Sequence, residues 1–118
     1  MQWLDCRDWG EAALVLEILP DAGDPGRLRL VGELDLATSP ALLEAAAEAS
    51  KKARPGGVTL DLSELTFLDS TGISAIISIS GGLESGALVL LAPQAHVARV
   101  LRLVRADSFP NVEIRWAG

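Results

Sequence analysis

The stretch Val58-Thr59-Leu60-Asp61-Leu62-Ser63-Glu64-Leu65-Thr66-Phe67-Leu68-Asp69-Ser70-Thr71-Gly72-Ile73-Ser74-Ala75-Ile76 changes its hydrophobic period partway along. Val58, Leu60 and Leu62 alternate with Thr59 and Asp61, as in a half-buried strand, whereas Ile73, Ile76 and Ile77 recur at helical spacing. Between them the residues read as a short loop through Ser63 and Glu64, then Thr66-Phe67-Leu68, with a helix starting at Asp69 or Ser70. A strand that leads directly into a helix is half of a parallel crossover, which points to an α/β fold.

The flanking sequence extends the same pattern. Upstream, Ala12 to Leu19 and Arg27 to Leu34 alternate as two strands, separated by the turn formers Pro20 to Gly26, and so predict an antiparallel hairpin. Ser39-Pro40 reads as a capping hydroxyl followed by proline at the first helical position, opening an Ala/Leu/Glu-rich helix to Lys52 that Pro55-Gly56-Gly57 ends. Downstream, Gly81-Gly82 and Gly86 limit the second helix, and Ala87 to Leu91 is a compact strand. Pro93 opens a third helix, in which Val97, Val100, Leu101 and Val104 form an apolar stripe, and Val112, Ile114 and Trp116 alternate in a last strand. The expectation is a single domain over residues 1–118, with an arm at 1–11 and a core at 12–116. Its element order is ββαβαβαβ around a mixed, mostly parallel sheet of about five strands. The expected core is Leu14, Leu16, Leu28, Leu30, Leu60, Ile73, Ile76, Ile77, Val89, Val97, Val100, Leu101 and Val104.

Composition narrows the function. With 118 residues, 49% of them hydrophobic, the chain can bury a core without disulfides or metal. Ten basic against sixteen acidic side chains give a net charge of -6, which repels nucleic-acid backbones and anionic lipid headgroups, so neither is an expected partner. One cysteine, Cys6, and one histidine, His96, cannot build a disulfide framework or a Cys/His metal site, and no metal or cofactor is expected. Charged residues near the start (Asp5, Arg7, Asp8, Glu11) are wrong for a secretory leader, and the run from Thr66 to Leu83 is broken by Asp69, serines and glycines. A cytoplasmic protein without membrane insertion is the expectation.

Phosphate-binding glycine loops and the G-x-S-x-G serine motif do not occur. What remains is Asp69-Ser70-Thr71-Gly72 at a loop-to-helix junction, where free backbone N–H groups and the positive end of the helix dipole collect. Two readings compete there. Either Asp69 or Ser70 simply caps the helix and Gly72 permits tight packing, or a hydroxyl is a phosphorylation acceptor, because a helix N-terminus tolerates a phosphoryl group. A hydrolase pairing Ser70 with His96 is the reading from another class, and it requires those side chains to meet.

The segment from Val58 to Ile76 resembles the signature of STAS domains, above all the anti-sigma factor antagonists, in which a strand and short loop lead to D-S-[ST]-G-[LIV]. Gly32-Glu33-Leu34-Asp35 is similar to the family's other landmark, G-E-[LI]-D, at the end of the second strand. The resemblance covers the chain from about Ala12 to Trp116. It implies that Ser70 is phosphorylated by an anti-sigma factor serine kinase and reset by a phosphatase. Asp35, Asp69, Thr71 and Gly72 would form the partner-binding surface with Ser70, and the chain would be the substrate rather than an enzyme. Unphosphorylated, such a protein binds the kinase and releases a sigma factor. The same pattern also serves STAS modules that act as unphosphorylated scaffolds or as subunits of signalling or lipid-transport complexes. On the antagonist reading, Asp35→Ala is expected to weaken kinase binding and leave thermal stability nearly unchanged.

Overall fold

Two neighbouring strands set the frame for everything else. β2 (Asp24–Leu34) and β3 (Val58–Leu68) run parallel, from the Arg27/Thr59 pair to the Leu34/Leu68 pair. The computed structural model describes residues 16–53 and 57–117. In it β1 (Leu16–Asp21) pairs antiparallel with β2, while β4 (Leu88–Leu91) and β5 (Val112–Arg115) continue parallel to β3 in the order β1-β2-β3-β4-β5. The crossovers are α1 (Ser39–Lys52), α2 (Ser70–Gly82) and α3 (Ala95–Leu103), followed by a 3-10 turn at Ala106–Ser108. The α/β class, the mixed five-strand sheet and the ββαβαβαβ order are those expected. The arm at 1–11, Leu14 and the expected strand start at Ala12 lie outside the described residues.

One row of side chains crosses the core, with exposed Pro20 at its β1 end. Pro20, Leu28, Leu60, Leu90 and Ile114 stand next to one another across the five strands. Leu60 and Leu90 are fully buried against a single cluster that also takes Leu42 of α1, Ile76 of α2, and Val97 and Leu101 of α3. All three helices therefore cover the same face of the sheet. The adjacent row, Leu19, Arg29, Asp61, Leu91 and Arg115, points the other way and stays partly or fully exposed. On this side Arg27 pairs with Asp61 at 3.4 Å and Arg29 with Glu64 at 3.1 Å. Burial disfavours the Asp61 carboxylate, but bonds from the Ser63 N–H and hydroxyl and from Arg27 outweigh it and hold its pKa below the usual value.

The structure corrects several local expectations. The hairpin is closed by only two residues, Ala22 and Gly23, because Asp21 Oδ1 accepts the Gly23 N–H at 2.8 Å and lets both strands run to the turn. Ser63 and Glu64 are not a loop: β3 continues through them with bulges, one where Leu62 and Ser63 oppose Leu30 and another at Thr66. Asp61 Oδ1 ties down the first by accepting the Ser63 N–H at 3.0 Å, and the Thr66 hydroxyl holds the second by donating to the Gly32 carbonyl at 2.9 Å. α3 starts at Ala95, two residues after Pro93, and the Gln94 amide donates to the Ser63 carbonyl. Of the expected core residues, Val89 falls on the outer face between inward Leu88 and Leu90. Ile77 lies outside the stripe formed by Ile73, Ile76 and Ile79, and Val104 follows the end of α3.

Leu60→Ala should cost about 2–5 kcal/mol, since the centre of the sheet cannot collapse around the void. Urea unfolding measures it, and a change below about 0.5 kcal/mol would contradict this place for Leu60.

Candidate functional site

β2 and β3 end side by side at the Leu34/Leu68 pair, and an aspartate follows each. The two aspartates do the same job at neighbouring strand ends. Asp35 Oδ1 accepts from the N–H groups of Ala37 and Thr38 at 3.0 and 3.1 Å and lies 3.2 Å from the Thr38 hydroxyl oxygen. Asp69 Oδ1 accepts from the Thr71 and Gly72 N–H groups at 3.0 and 3.1 Å and from the Thr71 hydroxyl at 2.6 Å. Asp69 is thus the N-cap of α2, satisfying backbone donors that the first turn leaves without helical partners. The Thr71 hydroxyl is the largest influence holding the Asp69 pKa below its usual value, with the Gly72 and Thr71 N–H groups adding to it against a smaller effect of burial.

α1 starts differently from the expectation. Ser39 is not its capping hydroxyl but its first helical residue, and Thr38 occupies the cap without a side-chain cap bond. Thr38 instead closes the connection from β2: its hydroxyl donates to the Glu33 carbonyl at 2.9 Å and accepts the Asp35 N–H at 2.9 Å. Ser39 is buried, donates to the Asp35 carbonyl at 2.7 Å, and makes a longer approach of 3.5 Å to the Thr71 carbonyl. The starts of α1 and α2 are therefore in contact, which brings the Asp35 loop next to the Asp69-Ser70-Thr71 turn. Thr38 and Ser39 were not singled out as part of this site from sequence, although a Thr-Ser pair ahead of proline was the available signal.

Within that turn the residues separate by exposure. Ser70 is exposed, and no hydrogen bond to its hydroxyl forms among the described residues. Thr71 is half-buried and committed to Asp69. Gly72 is buried: a Cβ there would fall 2.5 Å from Leu68 Cδ1 and 3.1 Å from the Leu34 carbonyl, so only glycine lets α2 seat this closely on the paired ends of β2 and β3. Leu36, 73% exposed, and Phe67 project from the same edge. His96 stacks on Phe67 with ring centroids 6.4 Å apart, and no hydrogen bond joins it to Ser70 among the described residues. Also among the described residues, no group of acidic, cysteine and histidine side chains is arranged to hold a metal ion, and no helix is long and apolar enough to cross a membrane.

A family model described as Mlab, STAS domain matches residues 19–113, which takes in both aspartate turns and all five strands in whole or part. The chain belongs to the STAS domain family. No curated protein matches it.

The geometry revises the expectation for Asp35 and supplies a test for Asp69. Asp35→Ala removes the acceptor of the Ala37 and Thr38 N–H groups from the connection to α1 and should lower stability by about 1 kcal/mol rather than leave it unchanged, as thermal unfolding would show. Asp69→Asn keeps an acceptor oxygen and removes only the charge. Because the folded carboxyl has the lowered pKa, its contribution is fully present above the ordinary carboxylate range and is lost as pH falls through the folded value. The stability gap between wild type and Asp69→Asn should therefore be constant near neutrality and close below about pH 4. A gap that widens on acidification would refute the role of the charge.

Proposed function

We propose that this chain is a phosphorylation-controlled docking module of the anti-sigma factor antagonist kind. Unphosphorylated, the edge carrying Asp35 and Ser70 binds an anti-sigma factor serine kinase, which frees a sigma factor; phosphorylation of Ser70 ends that complex, and a phosphatase resets it. The observation that carries this reading is the contrast between adjacent hydroxyls: Ser70 is exposed and unengaged among the described residues, while the Thr71 hydroxyl is bound to Asp69 at 2.6 Å.

The chemistry asks little of this chain. The Ser70 oxygen attacks the terminal phosphorus of ATP, its proton passes to the kinase, and ADP leaves; ATP and Mg2+ belong to the kinase, and this protein is the substrate. The Thr71 and Gly72 N–H groups at the start of α2 are already taken by Asp69. A phosphoryl group of about -1.5 to -2 charge on Ser70 therefore does not fold back onto them but stands beside the Asp69 carboxylate. A partner packed over this turn would lose contact by repulsion and by the cost of desolvating the new charge. Differential affinity of the two forms is sufficient, with no change in the core.

Incubation with candidate anti-sigma kinases and ATP, read by intact mass and peptide mapping, tests the reading. Ser70→Ala should bind the kinase and take up no phosphoryl group, and Ser70→Asp or Ser70→Glu should bind poorly. Thr71→Ala should still be modified, and His96→Ala should be modified at the wild-type rate, which a hydrolase using Ser70 and His96 would not allow. Modification of Ser70→Ala at the wild-type rate, or a modified peptide mapping to Thr71, would sink the assignment. A chain that binds its partner and is modified by no kinase would be a non-switching STAS scaffold or subunit.

A further inference from the structure

A net charge of -6 is an average over an uneven surface. No aspartate or glutamate occurs from Leu88 to Ala106, a stretch that holds Arg99, Arg102 and Arg105. α3 buries Val97, Ala98 and Leu101. At roughly 100° per residue, His96, Arg102 and Leu103 all lie within about 60° of the direction of Arg99. All four are exposed, Leu103 to 76%. Arg105 follows just past the helix, also exposed.

Among the described residues these three arginines have no carboxylate partner, whereas Arg27, Arg29 and Arg115 all do. Arg102 instead lies over the Trp116 ring, 4.3 Å from its centre. Trp116 and Val104 are themselves exposed at the same end of the helix. The result is one surface on which guanidinium groups without a carboxylate partner among the described residues are interleaved with three apolar side chains.

We propose that this face of α3 docks peripherally on an anionic lipid surface. The arginines attract the headgroup phosphates, and Leu103, Val104 and Trp116 enter the boundary between headgroups and acyl chains. A protein partner would have to supply a shaped pocket for each protruding apolar group, whereas the lipid boundary accepts them in any arrangement. That difference favours lipid over an acidic protein surface. The helix has nine residues and lies on the surface; it is far too short to cross. The acidic remainder of the protein is repelled by the same headgroups, so it turns α3 toward the membrane and keeps binding weak and salt-sensitive. This inference does not depend on phosphorylation of Ser70.

Arg105 provides a control against unfolding. Its φ of 57° is left-handed, a conformation that glycine adopts more easily after a helix, so Arg105→Gly removes a charge without straining the fold. The experiment is sedimentation of the full chain with vesicles of phosphatidylglycerol and phosphatidylcholine in equal parts, against vesicles of phosphatidylcholine alone. The protein should pellet only with the anionic vesicles and be released by high salt. Affinity should fall about fivefold for each arginine replaced, including in Arg105→Gly, which should melt no lower than wild type. Leu103→Ser should weaken binding and leave its salt dependence unchanged. Equal pelleting with both vesicles, pelleting with neither, or wild-type affinity in R99Q/R102Q/R105Q would overturn the proposal. Binding to polyglutamate with the same arginine dependence but not to vesicles would overturn it in favour of an acidic protein partner.

Discussion

At the seam between β3 and α2, one carboxylate oxygen of Asp69 holds three donors within 3.1 Å, and the backbone carbonyl of the same residue accepts the Ile73 N–H at 3.0 Å. That arrangement decides where the helix starts, and therefore which residue of the turn is left facing outward. The seat beneath it is equally restrictive, because Gly72 rests against Leu34 and Leu68, the last paired residues of β2 and β3. Helix position, strand ends and the exposure of Ser70 are consequences of one local geometry. The Asp35 turn repeats the same solution one strand away, and buried Ser39 joins the two through the Asp35 and Thr71 carbonyls.

Much of this was legible in the residues. Element order follows from changes of period, and the Asp-Ser-Thr-Gly run marks a helix start because an aspartate followed by small residues has few other uses at a strand end. What was hidden has specific causes. Leu62, Leu65 and Leu68 recur every three residues, the spacing of a helical stripe such as Ile73, Ile76 and Ile79 and not the alternation of a strand, so the second half of β3 does not read as strand until its partner is known. Ser39 looks like a cap because serine is a preferred capping residue and proline is over-represented at the first helical position, and only the structure places it one residue inside the helix. Ile77 and Val104 fit the helical stripe by arithmetic yet fall on its margin, where burial depends on what packs above them.

Charge is organised by face rather than by the chain as a whole. The uncovered side of the sheet carries arginines paired with carboxylates, such as Arg29 with Glu64 and Arg115 with Glu113, which contribute little to stability but keep an open β surface polar. The Ser70 edge is acidic through Glu33, Asp35 and Asp69, and α3 is basic. The molecule therefore offers differently charged faces to whatever surrounds it, and two encounters at once need not compete.

The bulges in β3 have a consequence for how such a chain can change over time. Between the Arg27/Thr59 and Leu34/Leu68 pairs, β3 uses more residues than β2, and the surplus lies at the irregularities near Ser63 and Thr66. Losing one surplus residue there would remove a bulge and leave Glu64, Leu65, Phe67 and Leu68 opposite the same partners in β2 and facing as they do, whereas losing a paired residue elsewhere in the strand would turn every later side chain to the opposite face. The bulges are thus the places where β3 can shorten without re-aiming the turn that follows. Drift in this lineage is expected to tolerate a change of length near Ser63 and Thr66 and none in the rest of the strand, so that register with β2, more than residue count, is the inherited quantity.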